Sequence, residues 1–281
     1  MAMGVGRHSR WEGSRADLLL ASMAGGTYAL ILLGIYTAAI GAGLTCDGRW
    51  PLCDGAVFGL FPANWPSFVE WFHRLVAMVT GILILGGWAI VWRRGSSRKA
   101  RAAMTGALVL LPIQIWLGRE TVLGYEIIAL TAHFLAALVI FTGIVLGVTW
   151  HWGLERRIPA MTVSLLAGAF ALFIPFVLLT PQFLFVHTGE VQMLYYGLGL
   201  VIFVALLLVT IGSRPTAVRG VTGFGLVLLA VQLLAGRLVR TPTMEFLDWG
   251  AGAGFIVVIA VALWIAYRDA ARHIYAQGRF L

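Results

Sequence analysis

Charge is what this chain has least of. Only 11% of its 281 residues are charged and 60% are apolar, whereas a soluble domain carries charge on about a quarter of its residues. The mean hydropathy is +0.91. So little polar surface excludes an ordinary water-facing body and leaves lipid as the main solvent. The polar tails are short, so no extramembrane domain is expected. No convincing small-residue cleavage site follows the long apolar run from Leu18 to Leu44, which argues against a removed signal peptide and for a retained first helix. Also lacking is a contiguous basic stripe with exposed aromatics. The net charge of +8 therefore does not mark a nucleic-acid surface.

The apolar residues fall into eight runs, about 18–44, 68–92, 103–118, 127–150, 160–181, 190–212, 221–236 and 247–267. About 20 apolar residues in a helix cross a hydrocarbon core of roughly 30 Å. Backbone within lipid must satisfy its own hydrogen bonds, so these runs are predicted to be helices. Fifteen of the 20 basic residues lie in the tails and alternate connections: around Arg7 to Arg15, Arg93 to Arg101, Arg156 and Arg157, Arg214 and Arg219, and Arg268 to Arg279. By the positive-inside rule that side is cytoplasmic. Both termini are thus expected inside the cell, in the plasma membrane.

The halves echo each other. Gln114-Ile-Trp-Leu-Gly118-Arg119 closes the third run and Gln232-Leu-Leu-Ala-Gly236-Arg237 the seventh. Val69-Glu70-Trp71-Phe72-His73-Arg74 opens the second and Val191-Gln192-Met193-Leu194-Tyr195-Tyr196 the sixth, at offsets of 118 and 122 residues. The expected fold is all-α integral membrane, eight transmembrane helices as two pseudo-repeated four-helix bundles, over 1–155 and 156–281.

Ionisable groups at membrane depth are costly and therefore informative. His73 and His133 each stand five or six residues inside spans that run from outside to inside. At 1.5 Å per residue that is roughly 8–9 Å below the boundary. Imidazoles at matched depth on two parallel helices suit a heme iron held between them. Ala129, Ala132, Ala136 and Ala137 leave room beside His133. Glu70, one turn before His73, is expected near the edge of such a heme, where a carboxylate takes a proton or stabilises developing positive charge; the plainer reading is a helix-entry residue facing headgroups. Arg74 and Arg119 are candidates for heme propionates, with interfacial snorkelling the alternative. The only two cysteines, Cys46 and Cys53, lie in GLTCDGRWPLCDG, in a connection that faces outward, where disulfides persist. A structural staple, a redox-active pair and free thiols all remain open.

The stretch GAGLTCDGRWPLCDG followed by FPANWPSFVEWFHRLVA resembles the heme A synthase family, as does QIWLGRETV followed by His133. The resemblance extends over the whole chain, strongly to about residue 150 and weakly beyond. It implies an oxidoreductase that converts the C8 methyl of heme O to the formyl group of heme A for terminal oxidases. It further implies that His73 and His133 hold the heme and ligate its iron, that Glu70 is catalytic, and that Cys46 and Cys53 match the family's outer-loop pair, a disulfide. The bound heme would be heme O, heme A or heme b, at one site in the N-terminal half. Many eight-helix members carry a second histidine pair; here the matching positions are Tyr195, with Gln192 in place of Glu70, and Asp248 or Trp249. Expected partners are the lipid bilayer and an external electron acceptor, with a farnesyltransferase that supplies heme O and a second copy of the chain as further candidates. The competing readings are a bis-histidine cytochrome that only carries electrons and a small-molecule transporter. The latter lacks broken helices at matching midplane positions.

Overall fold

The computed structural model describes residues 5–46, 49–50, 56–57, 61–62, 64–124, 126–180, 188–235 and 242–276. Eight α-helices account for most of them: α1 Val5–Ala39, α2 Trp65–Arg93, α3 Arg98–Leu123, α4 Ile127–His151, α5 Ile158–Leu178, α6 Gly189–Gly212, α7 Thr216–Ala235 and α8 Pro242–Ala276. All eight contain a stretch long and apolar enough to cross a membrane; the chain is a multi-pass, all-α membrane protein. The strand structure among the described residues is one antiparallel ladder, β1 Ala56–Val57 with β2 Phe61–Pro62.

Local chemistry sets the helix ends. Asn64 caps α2 by accepting a hydrogen bond from the Ser67 amide, with proline in the first turn, where a missing N–H does no harm. Ser97 caps α3 through the Ala100 amide and Thr188 caps α6 through Val191. The first apolar run was expected to stay helical to Leu44, but α1 stops at Ala39. Gly41 has φ +67°, a left-handed conformation that ends a helix, and Ala42–Cys46 continue as a 3-10 turn. The third helix is longer than its apolar run because Arg98, Lys99 and Arg101 form its first turn.

The chain divides into two compact units, Met1–Trp152 and Gly153–Leu281. In the first, the helices pack in a ring, α1 on α2, α2 on α3, α3 on α4 and α4 on α1; in the second, α5 to α8 pack in the same cyclic order. That is the pattern a duplicated four-helix unit would give. In the first unit Leu20 and Met23 of α1, Ile84 and Val91 of α2, Met104 of α3 and Ile140, Ile144 and Val148 of α4 form a packed core. Gly87 lies against Met23 and Gly147 against Met104; without side chains there, the helices approach closely. This apolar packing fills the half of the unit away from the Cys46 turn. Outward-facing residues such as Ile82, Val109 and Ile128 are exposed, as a lipid-facing surface requires.

Candidate functional site

The other half of the first unit collects the polar groups. α2 and α4 occupy diagonal places in the ring, each packed on both α1 and α3 and barely on the other. His73 lies eight residues after the start of α2 and His133 six after the start of α4, so they enter their helices by about 12 and 9 Å. Both are half-buried. Each imidazole meets a glycine of the preceding helix. A Cβ built on Gly34 of α1 would stand 3.1 Å from Nε2 of His73, and one built on Gly118 of α3 would stand 3.1 Å from Cε1 of His133. Side-chain-free backbone on α1 and α3 thus borders both rings.

Glu70 is buried, 5% exposed, and does not face outward as a simple helix-entry residue would. Its Oε1 accepts a charge-assisted hydrogen bond from Nε of Arg74 at 2.8 Å. Arg74 Nη1 donates to the carbonyl oxygen of Arg49 at 3.0 Å. The guanidinium therefore ties the carboxylate to the segment after the Cys46 turn. A second tie, from Ser67 Oγ to the Thr45 carbonyl at 3.3 Å, holds that turn against the head of α2. Arg119 goes elsewhere: its exposed side chain bonds the neighbouring Glu120 at 2.9 Å. Cys46 is fully buried, and no cysteine among the described residues is free; Cys53 lies outside the described residues. Among the described residues no cluster of three or more histidine, cysteine or acidic side chains is arranged to hold a bare metal ion.

Three residues at this site carried no signal of their own in the sequence reading. Gly34 and Gly118 sit in apolar runs where glycine is common. Gln114 entered only as half of a repeated motif, yet its Nε2 lies 3.2 Å from Nε2 of His133. A polar amide recurring at the same place in two helices was the available clue.

The second unit handles the corresponding space differently. Tyr195 and Tyr196, at the head of α6, are both 1% exposed and bond the carbonyls of Gln232 and Leu233 on α7, at 3.2 and 3.0 Å. Tyr195 stacks on Phe176 with ring centres 4.3 Å apart, and Phe173 stacks on Phe255 at 4.4 Å. These rings fill the interior where α5, α6 and α8 meet. Gly252 of α8 lies against the Gln232 amide; a Cβ added there would stand 3.0 Å from Nε2. In the first unit the equivalent amide faces His133. Asp248 and Trp249, the positions matched to His133 in the sequence, line the same space as Gln232 and Gly252, with Asp248 one turn before Gly252 on α8.

The family pattern of the cytochrome oxidase assembly protein, COX15-CtaA, matches residues 17–184, which includes α2 to α4 with both histidines. A protein named heme A synthase from Bacillus pumilus is 28% identical over 163 residues, 57% of this chain and 52% of that one. Another, from Bacillus licheniformis, is 29% identical over 119 residues, 42% of this chain and 39% of that one. A protein named protoheme IX farnesyltransferase from Halobacterium salinarum is 35% identical over 143 residues, 50% of this chain but only 30% of that one. The chain spans about a third to a half of the length of these curated relatives. No solved structure matches it. With the family pattern covering more than half of the sequence and both histidine-bearing helices, the chain belongs to the COX15-CtaA family of cytochrome oxidase assembly proteins, the family of the heme A synthases.

Proposed function

We propose that this protein is a heme A synthase, binding heme O in its first unit and oxidising the C8 methyl to a formyl group. The observation that carries the reading is the matched arrangement of His73 and His133: diagonal helices, similar depth, and a glycine beside each ring. Gly34 and Gly118 set bare backbone rather than a side chain against each imidazole, which keeps both rings at the interior of the bundle. Two imidazoles at similar depth, with a buried carboxylate one turn from His73 and a guanidinium paired to it, are a donor set of the chemistry a heme requires.

In this reading His73 and His133 hold the heme by its iron, which fixes the porphyrin within the bundle. Glu70 lies one turn from His73 and acts as the base that removes protons from the reacting carbon or from the oxygen nucleophile. Its bond from Arg74 orients the carboxylate, and Arg74 also has a guanidinium edge of the kind that pairs with propionates. Arg119, turned to Glu120, is the weaker propionate candidate. Methyl is converted to formyl by two successive two-electron oxidations, each adding one oxygen from water and releasing two protons; the first gives the alcohol, the second a geminal diol that loses water. The electrons leave to an external acceptor. Cys46 and Cys53 form a disulfide outside the membrane that fixes the loop leading into α2. The cytoplasmic placing of both termini rests on the clustered basic residues.

A heme farnesyltransferase supplies the substrate. Support comes from the Halobacterium salinarum relative, which bears that name although the stretch like this chain makes up only 30% of it. One chain there combines such a stretch with ample sequence for another activity.

Glu70→Gln tests the reading. Membranes supplied with heme O and the variant should retain the pigment but yield no formyl heme, as identified by mass. Full conversion by the variant would remove Glu70 from the chemistry and leave a bis-histidine cytochrome as the better description. Retention of the Soret band in the double variant His73→Ala, His133→Ala would refute the ligand pair itself.

A further inference from the structure

The aromatic packing of the second unit is incomplete at one place. Between α5, α7 and α8 there is a cavity of about 140 Å³ lined by Phe173, Thr180, Gln232, Asp248, Trp249 and Gly252, among others. A closed apolar cavity of about 150 Å³ takes up benzene, so this one has the volume of a single six-membered ring. Its walls are mostly carbon, with Phe173 and Trp249 offering aromatic faces. The polar groups sit at one end. Gln232 is 2% exposed, and its Oε1 is buried without a hydrogen-bond partner; a half-turn of the amide brings either end over Gly252. Asp248 presents a carboxyl, which accepts a hydrogen bond in either protonation state. Trp249 and Ile256, which also line it, are 52% and 46% exposed on the flank of α8, so the cavity can be reached from outside the unit.

We propose that this cavity is a binding site for a lipid-soluble single-ring molecule bearing hydroxyl groups, of the hydroquinone class, entering from the bilayer. The volume admits one ring and not a porphyrin. The aromatic walls suit a flat ring. The unpaired Gln232 oxygen calls for a donor, which a hydroxyl supplies and an acyl chain does not, and the Asp248 carboxyl lines the same space. A buried amide oxygen left unpaired is costly, and a hydroxyl ligand relieves that cost. The inference rests on the second unit alone and stands whether or not the first unit binds heme.

The test uses the full chain in detergent micelles, with hydroquinone as probe and p-xylene and 1,4-dimethoxybenzene as rings of similar outline that donate no hydrogen bond. Dissociation constants come from saturation-transfer NMR with competition. Hydroquinone should bind at least tenfold more tightly than either control. Asp248→Asn should weaken hydroquinone by about tenfold, the difference between a charge-assisted and a neutral hydrogen bond, and leave p-xylene unchanged. Gly252→Leu should abolish binding of all three by filling the cavity. Since its new side chain meets Gln232, Ala253→Leu on the wall provides a second filling variant, and thermal unfolding shows which of the two is folded. Equal binding of hydroquinone and dimethoxybenzene would reduce the site to a lipid-filled crevice. Undiminished hydroquinone binding in a folded filling variant would place the ligand elsewhere. Either result overturns the proposal.

Discussion

Adding one methyl group at Gly34 is the sharpest probe of the first-unit site. In Gly34→Ala the new Cβ would stand 3.1 Å from Nε2 of His73, 3.7 Å from Cε1 and 3.9 Å from Cδ2. Comfortable contact begins near about 3.5 Å, so the imidazole must retreat by about 0.4 Å or the helices must part by as much. Overpacking of this kind costs about 1–3 kcal/mol. The displacement is close to the roughly 0.5 Å within which a ligand constellation must be held. Heme affinity should therefore fall by about tenfold or more, within the range that disturbed support of a ligand histidine produces, while the helical fold survives. Gly118→Ala should do the same through His133, where the new Cβ would meet Cε1 at 3.1 Å. Gly106→Ala is the control: on α3 it meets nothing within 4 Å and should bind heme as the parent does. The assay is titration of purified protein with heme, followed at the Soret band, alongside thermal unfolding. If Gly34→Ala and Gly118→Ala both bind as tightly as Gly106→Ala, the two rings do not hold a heme in the way described.

Three further outcomes follow from the same contacts. Arg74→Gln breaks the 2.8 Å pair with Glu70, whose side chain is 6% exposed, and leaves a buried carboxylate unpaired. Such a break costs about 3 kcal/mol, visible as a fall in thermal midpoint larger than that of Glu70→Gln. Gln114→Leu removes the group 3.2 Å from Nε2 of His133. If iron takes that nitrogen, the amide competes with it, and its loss should tighten heme binding by about fivefold, the worth of one ordinary hydrogen bond; weaker binding would show instead that Gln114 orients the ring. Tyr195→Phe loses the bond to the Gln232 carbonyl and should destabilise by about 1 kcal/mol with no change in the heme spectrum, because Tyr195 belongs to the second unit, where it stacks on Phe176.

Hydropathy alone located all eight helices, because the hydrocarbon demands an apolar run for each crossing. It could not place their ends. Gly41 reads as one more small residue in an apolar stretch, but its backbone angle stops α1 and starts the turn that carries Cys46. The charged start of α3 lay outside the apolar window for the opposite reason: Arg98 and Lys99 are helical without being apolar. His73, Glu70 and His133 stood out as candidates since ionisable side chains at that depth need a reason. Gly34, Gly118 and Gln114 were not, since what matters about them is a contact with another helix, and no spacing within one helix encodes that.

The stacked rings of the second unit also bear on how freely the chain can change. A histidine introduced at 252 would find Gln232 in its way, and a porphyrin would need the room now taken by Phe173, Phe176, Tyr195 and Phe255. Several bulky side chains would have to shrink together before any one replacement helped. A two-heme design built on this chain must start by emptying its aromatic core.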